Sequence, residues 1–175
     1  MYNRALLGTY APGSTFKMVT AIGALEEDVI GVTDEILDTG RYTYYRDYQP
    51  MCWIYRQYRG THGRVNISEA IRDSCNVFFY DVGRRLGIEQ LNNYARLFGL
   101  GQATGIELPE NTGHVAGPET SKTLGTTWND GATLAAAIGQ ENNLFSPLQL
   151  ANYIATLVNG GNHWPAHLLR SVSSP

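Results

Sequence analysis

The sequence predicts a mainly α-helical chain with few strands. Apolar residues recur at helical spacing in three long runs, which open near Ser14, Asn76 and Ser146. Glycine stops close the second and third of these runs, at Gly87 and Gly160-Gly161, and Gly99 closes the helix that follows the second. Strand-like words between them are scarce. At 175 residues, 43% hydrophobic and 17% charged, the chain has the length and apolar content of one globular domain with its own core. It carries no internal repeat, low-complexity tract or linker that would divide it.

The elements follow in order. After the turn-forming Ala11-Pro12-Gly13, residues 14 to 26 read as a buried helix with Ser14 as its cap. From Ile30 to Gly63 the pattern dissolves into clustered tyrosines and isolated arginines, a long irregular excursion with room for a short hairpin. Ile67 to Asp73 forms a short helix capped by Asn66 or Ser68. Asn76 to Leu86 forms a second, and Ile88 to Phe98 a third. Residues 101 to 127 are rich in glycine and read mostly as loop, with Gly105 to Pro109 as the only strand-like words. Ala132 to Ile138 and Ser146 to Val158 are two further helices, the latter with Ser as cap and Pro147 in its first turn. His163 to Ser174 could begin a strand.

Charge and composition narrow the partners. The net charge of -3, with Lys and Arg scattered, gives no electrostatic footprint for nucleic acid or an anionic membrane surface, so a small-molecule or peptide substrate fits better. Two cysteines, Cys52 and Cys75, are too few for a disulfide scaffold. No window approaches 18 consecutive apolar residues, and the N-terminus has no signal-peptide pattern. Met1 stands only a few residues before the first chemistry-bearing motif, so the chain reads as a piece of a longer one.

That motif is Ser14-x-x-Lys17. Three residues apart on a helix, the two side chains share one face and the amine can reach the hydroxyl. Serine needs a base, and a lysine desolvated among Phe16 and Met18 can be neutral enough to serve. Taken alone, the tetrad is common, and an N-cap serine beside a solvated lysine explains it. A second element, Ser74-Cys75-Asn76, falls at a junction between two short helices. There Ser74 can relay a proton and the Asn76 amide can donate to a substrate carbonyl and to Lys17. Its plain alternative is a helix cap.

Context decides between these readings. Asn3-Arg4-Ala5 followed by Gly8 to Lys17 closely resembles the nucleophile segment of class B penicillin-binding proteins, and Ser-x-x-Lys with Ser-x-Asn belongs to that family's motif set. His62-Gly63, Phe78-Phe79-Tyr80, Ala137-Ile138-Gly139-Gln140 and Ser146 to Ala151 extend the resemblance over nearly the whole chain. It implies an α/β serine transpeptidase fold of the β-lactamase and penicillin-binding protein kind, of which this chain holds the mainly α part without most of the central antiparallel sheet. It also implies a peptidoglycan D,D-transpeptidase: Ser14 as nucleophile, Lys17 as base, and Ser74 and Asn76 as their partners. The implied ligands are D-Ala-D-Ala stem peptides and β-lactams, with no cofactor. The parent would be anchored at the extracytoplasmic face of the bacterial membrane among cell-wall synthesis partners. Two alternatives remain open. One is a non-catalytic β-lactam sensor or binding module. The other is a serine β-lactamase, for which Glu89-Gln90-Leu91-Asn92 offers a faint deacylation segment.

The family's third motif, Lys-Thr-Gly on an edge strand, has no counterpart, so the piece by itself is expected to be nearly inert. Ser121-Lys122-Thr123-Leu124-Gly125 imitates the motif with its glycine displaced by one, and reads as a solvated loop. Some relatives have metal sites in this neighbourhood, and Cys52, His62, Asp47 and Cys75 are the available donors. Their spacing is irregular and no metal is assigned. Cys75 otherwise reads as a small buried residue. The cluster of Tyr42, Tyr44, Tyr45, Tyr48, Trp53, Tyr55 and Tyr58 fits either a glycan-strand groove or a hairpin burying its aromatic faces.

Overall fold

A computed structural model describes residues 2–172. Short helix α1 (Arg4–Leu7) leads to a 3-10 turn (Gly13–Phe16) and helix α2 (Lys17–Glu26). Strand β1 (Ile36–Asp38), α3 (Trp53–Tyr58) and β2 (Gly63–Val65) make up the excursion predicted as irregular. Helices α4 (Ile67–Arg72), α5 (Asn76–Leu86), α6 (Ile88–Leu97), α7 (Pro118–Thr123), α8 (Asp130–Ala137) and α9 (Pro147–Val158) complete the order. None is long and apolar enough to cross a membrane.

The helices start where their local chemistry requires. At α9, the Ser146 hydroxyl accepts from the Gln149 N–H while the Gln149 side chain accepts from the Ser146 N–H, and Pro147 fills the first helical position. The same reciprocal pair, Asn66 with Glu69, opens α4, which selects Asn66 over Ser68 as its cap. At Gly87 the backbone turns to φ +81 and separates α5 from α6.

Packing places α2 against both α5 and α6, and α5 across α8. The α5–α8 approach depends on Gly83, where a β-carbon would overlap that of Ala137. One buried cluster gathers Ala21, Phe78, Phe79, Val82 and Leu134 around α5, and another gathers Phe16, Val19, Leu91, Phe145 and Tyr153. Among the described residues, strands are confined to one antiparallel pair, in which Ile36 faces Val65 and Asp38 faces Gly63.

Several expectations change. Residues 101 to 127 contain α7, started by Pro118 after Gly117, so Lys122 lies on a helix and not in a loop. Gly105 to Pro109 form no strand, as the reading of that stretch as mostly loop expects, whereas the strand that could begin at His163 does not form within 163–172; residues 173 and 174 of that expectation lie outside the described residues. Helices α1 and α3, with four and six residues, are too short to leave a periodic signature.

Candidate active site

Ser14 stands exposed inside the 3-10 turn, and its side chain caps no helix. The turn is fastened from three sides. Gly13 donates its N–H to the Gly139 carbonyl at 2.9 Å, Tyr153 donates its hydroxyl to the Thr15 carbonyl at 2.9 Å, and Thr15 donates to the Pro12 carbonyl at 2.8 Å. Gly139, at φ +71, lies so close to Gly13 that a β-carbon would overlap the Gly13 carbonyl oxygen. The Ile-Gly-Gln segment thus acts through its backbone, holding the serine turn in place. Gln140 itself lines the cleft with an exposed side chain.

Lys17 begins α2 and is only 2% exposed. Its Nζ lies 5.5 Å from the centre of the Phe79 ring. All three ammonium hydrogens have acceptors: the Ser74 carbonyl at 2.8 Å, Ser74 Oγ at 2.9 Å and Asn76 Oδ1 at 2.6 Å. Ser74 Oγ in turn donates to Ser14 Oγ at 2.9 Å. Ser14, Lys17, Ser74 and Asn76 therefore converge, with one change to the expected wiring. Lys17 reaches Ser14 through Ser74 and not directly. Asn76 accepts from Lys17 with its amide oxygen, which leaves its NH2 free to donate elsewhere.

Two features of this arrangement bear on reactivity. Burial lowers the Lys17 pKa to about 8, against the smaller upward pull of Cys52 and Cys75. Ser74 sits in the left-handed region at φ +52, a conformation that costs a non-glycine residue about 1 kcal/mol or more. That turn between α4 and α5 lets one residue present both its carbonyl and its hydroxyl to Lys17.

A cleft of about 840 Å³ opens over Ser14. Ser74, Asn76, Ile138 and Gln140 line one side, and Tyr48, Met51, Trp53 and Arg56 are among the residues lining the rest. The tyrosine-rich segment thus divides. Tyr48 and Trp53 face the cleft. Tyr42 is buried and donates to Asp81, while Arg84 bonds Tyr42 and stacks 3.7 Å over the Tyr44 ring. Glu89 is not among the cleft residues; it borders a separate hollow with Asn92 and Pro118. Lys122 lies exposed on α7 and outside the cleft.

A polar relay of this kind, on a chain with these motifs, can be set against known proteins. The family described as penicillin binding protein transpeptidase domain matches residues 1–174. The chain belongs to this family. Within it the similarity is to class B members. The peptidoglycan D,D-transpeptidase MrdA of Acinetobacter baumannii is 38% identical over 98% of this chain and 25% of its own length. A crystal structure of Pseudomonas aeruginosa PBP2 in complex with WCK 5153 superposes with a TM-score of 0.88, at 34% identity, over 97% of this chain and 38% of that one. PBP2 of Helicobacter pylori, solved in a complex with MreC, gives 0.88 at 31% identity over 99% of this chain and 32% of that one. This transpeptidase-family chain spans about a quarter of the curated relatives it matches. The mostly helical architecture with a single strand pair is the corresponding part of the α/β transpeptidase fold.

Behind the second motif lies a cluster that sequence reading grouped differently. The carboxylate facing Cys52, His62 and Cys75 is Asp38 at the end of β1; Asp47 is exposed and lines another hollow. Pairing of Asp38 with Gly63, next to His62, brings β1 to the histidine. The four donor atoms lie within 4.8 Å of one another. His62 Nδ1 is 2.7 Å from Asp38 Oδ2, and Cys75 Sγ is 3.4 Å from the same oxygen. Burial pushes the Asp38 carboxyl up, but N–H groups of Gly40 and His62 and the His62 ring outweigh it and hold the group below its ordinary value. Cys52 is lowered to about 6, foremost by a hydrogen bond from Cys75 and also by backbone N–H groups of Val77 and Asn76; Cys75 is pushed up by the same bond and by burial. A thiolate at Cys52, a second thiol, an imidazole and a carboxylate, all converging on one point, fit a tetrahedral zinc ion.

Proposed function

We propose that the chain is the nucleophile-bearing part of a peptidoglycan D,D-transpeptidase that forms a serine acyl-enzyme at Ser14. The observation that carries this reading is the continuous path from Ser14 Oγ through Ser74 Oγ to Lys17 Nζ, with 2.9 Å at each step. When Lys17 loses a proton, its lone pair faces Ser74 Oγ, and the two hydroxyls can turn so that Ser14 donates to Ser74 and Ser74 to Lys17. Ser14 Oγ then attacks the carbonyl carbon of the penultimate D-alanine. The carbon–nitrogen bond breaks, and the terminal D-alanine leaves with the proton returned from Lys17 through Ser74 Oγ, Ser14 Oγ being held in the ester. An amine from a neighbouring strand attacks the ester, its proton passes to Lys17, and Ser14 is restored. β-Lactams enter at the first step and remain as the ester.

Asn76, its oxygen held by Lys17, would direct its NH2 at the carbonyl of the bound peptide. Asp38, Cys52, His62 and Cys75 would hold a zinc ion, which when bound supplies charge to fix two thiols and a carboxylate in one place. Cys75 lies between Ser74 and Asn76, so these ligands would anchor the motif from behind. The whole protein would work at the extracytoplasmic face of the bacterial membrane, with cell-wall synthesis partners of the kind seen with its relatives. Exposing the full-length protein to a fluorescent penicillin tests the reading. A covalent band that disappears in Ser14→Ala is expected, and equal labelling of that variant would overturn it.

A further inference from the structure

Helix α3 turns Trp53, Arg56 and Gln57 toward the cleft, positions three and four apart that share one helix face. The helix is fixed to the catalytic junction because Trp53 Nε1 donates to the Asp73 carbonyl at 3.0 Å, immediately before Ser74. The loop ahead of it is pinned by the Arg41–Met51 bridge and by Cys52 donating its N–H to the Gly40 carbonyl. α3 is therefore a set wall of the cleft. Among the described residues Arg56 is the only charged side chain lining the cavity, since Lys17 is buried behind Ser74. Among the described residues it makes no ion pair and no side-chain hydrogen bond, whereas Arg72, Arg84 and Arg85 are all paired.

An unpaired guanidinium on a fixed wall, beside the aromatic faces of Tyr48 and Trp53, suits a planar anion presented by a ligand that runs along the cleft. We infer that Arg56 reads a carboxylate of the stem peptide upstream of its D-Ala-D-Ala end, making it a specificity-determining residue for the donor peptide over Ser14. This rests on the transpeptidase reading. It goes further by fixing which peptides the site prefers, those whose third-residue side chain ends in a free carboxylate over those in which it is amidated.

Full-length protein is labelled with fluorescent penicillin in the presence of two competing pentapeptides that differ only in that carboxylate or amide. The free acid is expected to halve labelling at a concentration about 1.4- to 5-fold lower, the range for a solvent-accessible ion pair. Arg56→Ala should erase the difference when each peptide is scored against that variant's own labelling by penicillin alone, and Arg56→Lys should keep part of it. Equal competition by the two peptides on the unaltered protein, including none by either, overturns the inference, and so does a preference that survives in Arg56→Ala. A fall in labelling of Arg56→Ala without any peptide would assign the residue a structural role instead. Failure of penicillin to label Ser14 at all would overturn the transpeptidase reading, and this inference with it.

Discussion

A serine hydroxyl is a poor nucleophile at neutral pH, and in the proposed mechanism it is the protonation state of Lys17, 2% exposed and facing the Phe79 ring, that activates Ser14. Because the Lys17 pKa is lowered to about 8, the neutral form that can accept a proton gains ground above that pH and is lost below it. The rate of Ser14 acylation by penicillin should therefore rise about tenfold between pH 7 and pH 9, following the neutral fraction of a group titrating near 8. A flat stopped-flow profile across that interval would remove Lys17 from the role of base. Gly139 invites a second measurement. Any side chain there meets the Gly13 carbonyl oxygen, so Gly139→Ala must shift the serine turn. A displacement of the reacting group by about 1 Å costs about 10²-fold in rate, and the variant should lose labelling by that order with little change in far-UV circular dichroism. The four polar residues were legible in the sequence because their motifs resemble those of the penicillin-binding family; helix spacing alone would not have joined Ser74 to Ser14 and Lys17, about sixty residues away. The direction of the hydrogen bonds was not legible, since it depends on the left-handed turn at Ser74, a conformation that serine rarely signals.

At the scale of elements, the junction between α4 and α5 carries the site, and its rigidity comes from the other side. Cys75 points away from the cleft into the cluster with Asp38, Cys52 and His62, and Asn76 donates its N–H to Cys52 Sγ at 3.3 Å. Protein purified without chelator should contain about one zinc per chain, and chelation or Cys52→Ser should lower Tm by about 5 °C or more, since 1 kcal/mol moves a chain of this size by roughly 2–4 °C. Metal-free protein with an unchanged melting curve would show the donors to be a hydrogen-bonded cluster only. Sequence spacing could not assemble this group, because Asp38 arrives through pairing of β1 with β2 across more than twenty intervening residues. Asp47, nearer in sequence to Cys52, lay in the way. The same contrast holds elsewhere. α5 and α9 were legible from cap, periodicity and glycine stop, whereas α3 and α7, six residues each, are too short to show a period. α7 did leave one signal, Pro118 directly after a glycine.

For the whole molecule, the cleft over Ser14 is lined by the serine turn, Ser74 and α5, by Ile138 and Gln140, and by the segment from Tyr48 through α3, while among the described residues the only sheet is a pair of three-residue strands, one of which brings Asp38 to the Cys75 cluster. These 175 residues contain no Lys-Thr-Gly triplet, and the motif resemblance assigns that triplet's strand the second oxyanion donor and the anchor for the substrate carboxylate. Removing one oxyanion donor costs about 10²–10³ in rate. Losing the carboxylate anchor relaxes the position of the carbonyl over Ser14 as well. A polypeptide of these 175 residues alone should therefore be acylated by fluorescent penicillin at least ~10²-fold more slowly than the full-length protein. Side-by-side time courses would measure this, with Ser14→Ala in each to subtract non-specific label. Lys17, Ser74 and Asn76 are already joined within the short chain, so its slow labelling should still rise with pH as in the parent. Equal rates in the two proteins would mean that the residues described here supply both oxyanion donors, and the role given to the missing strand would have to pass to the wall formed by α3 and Gln140.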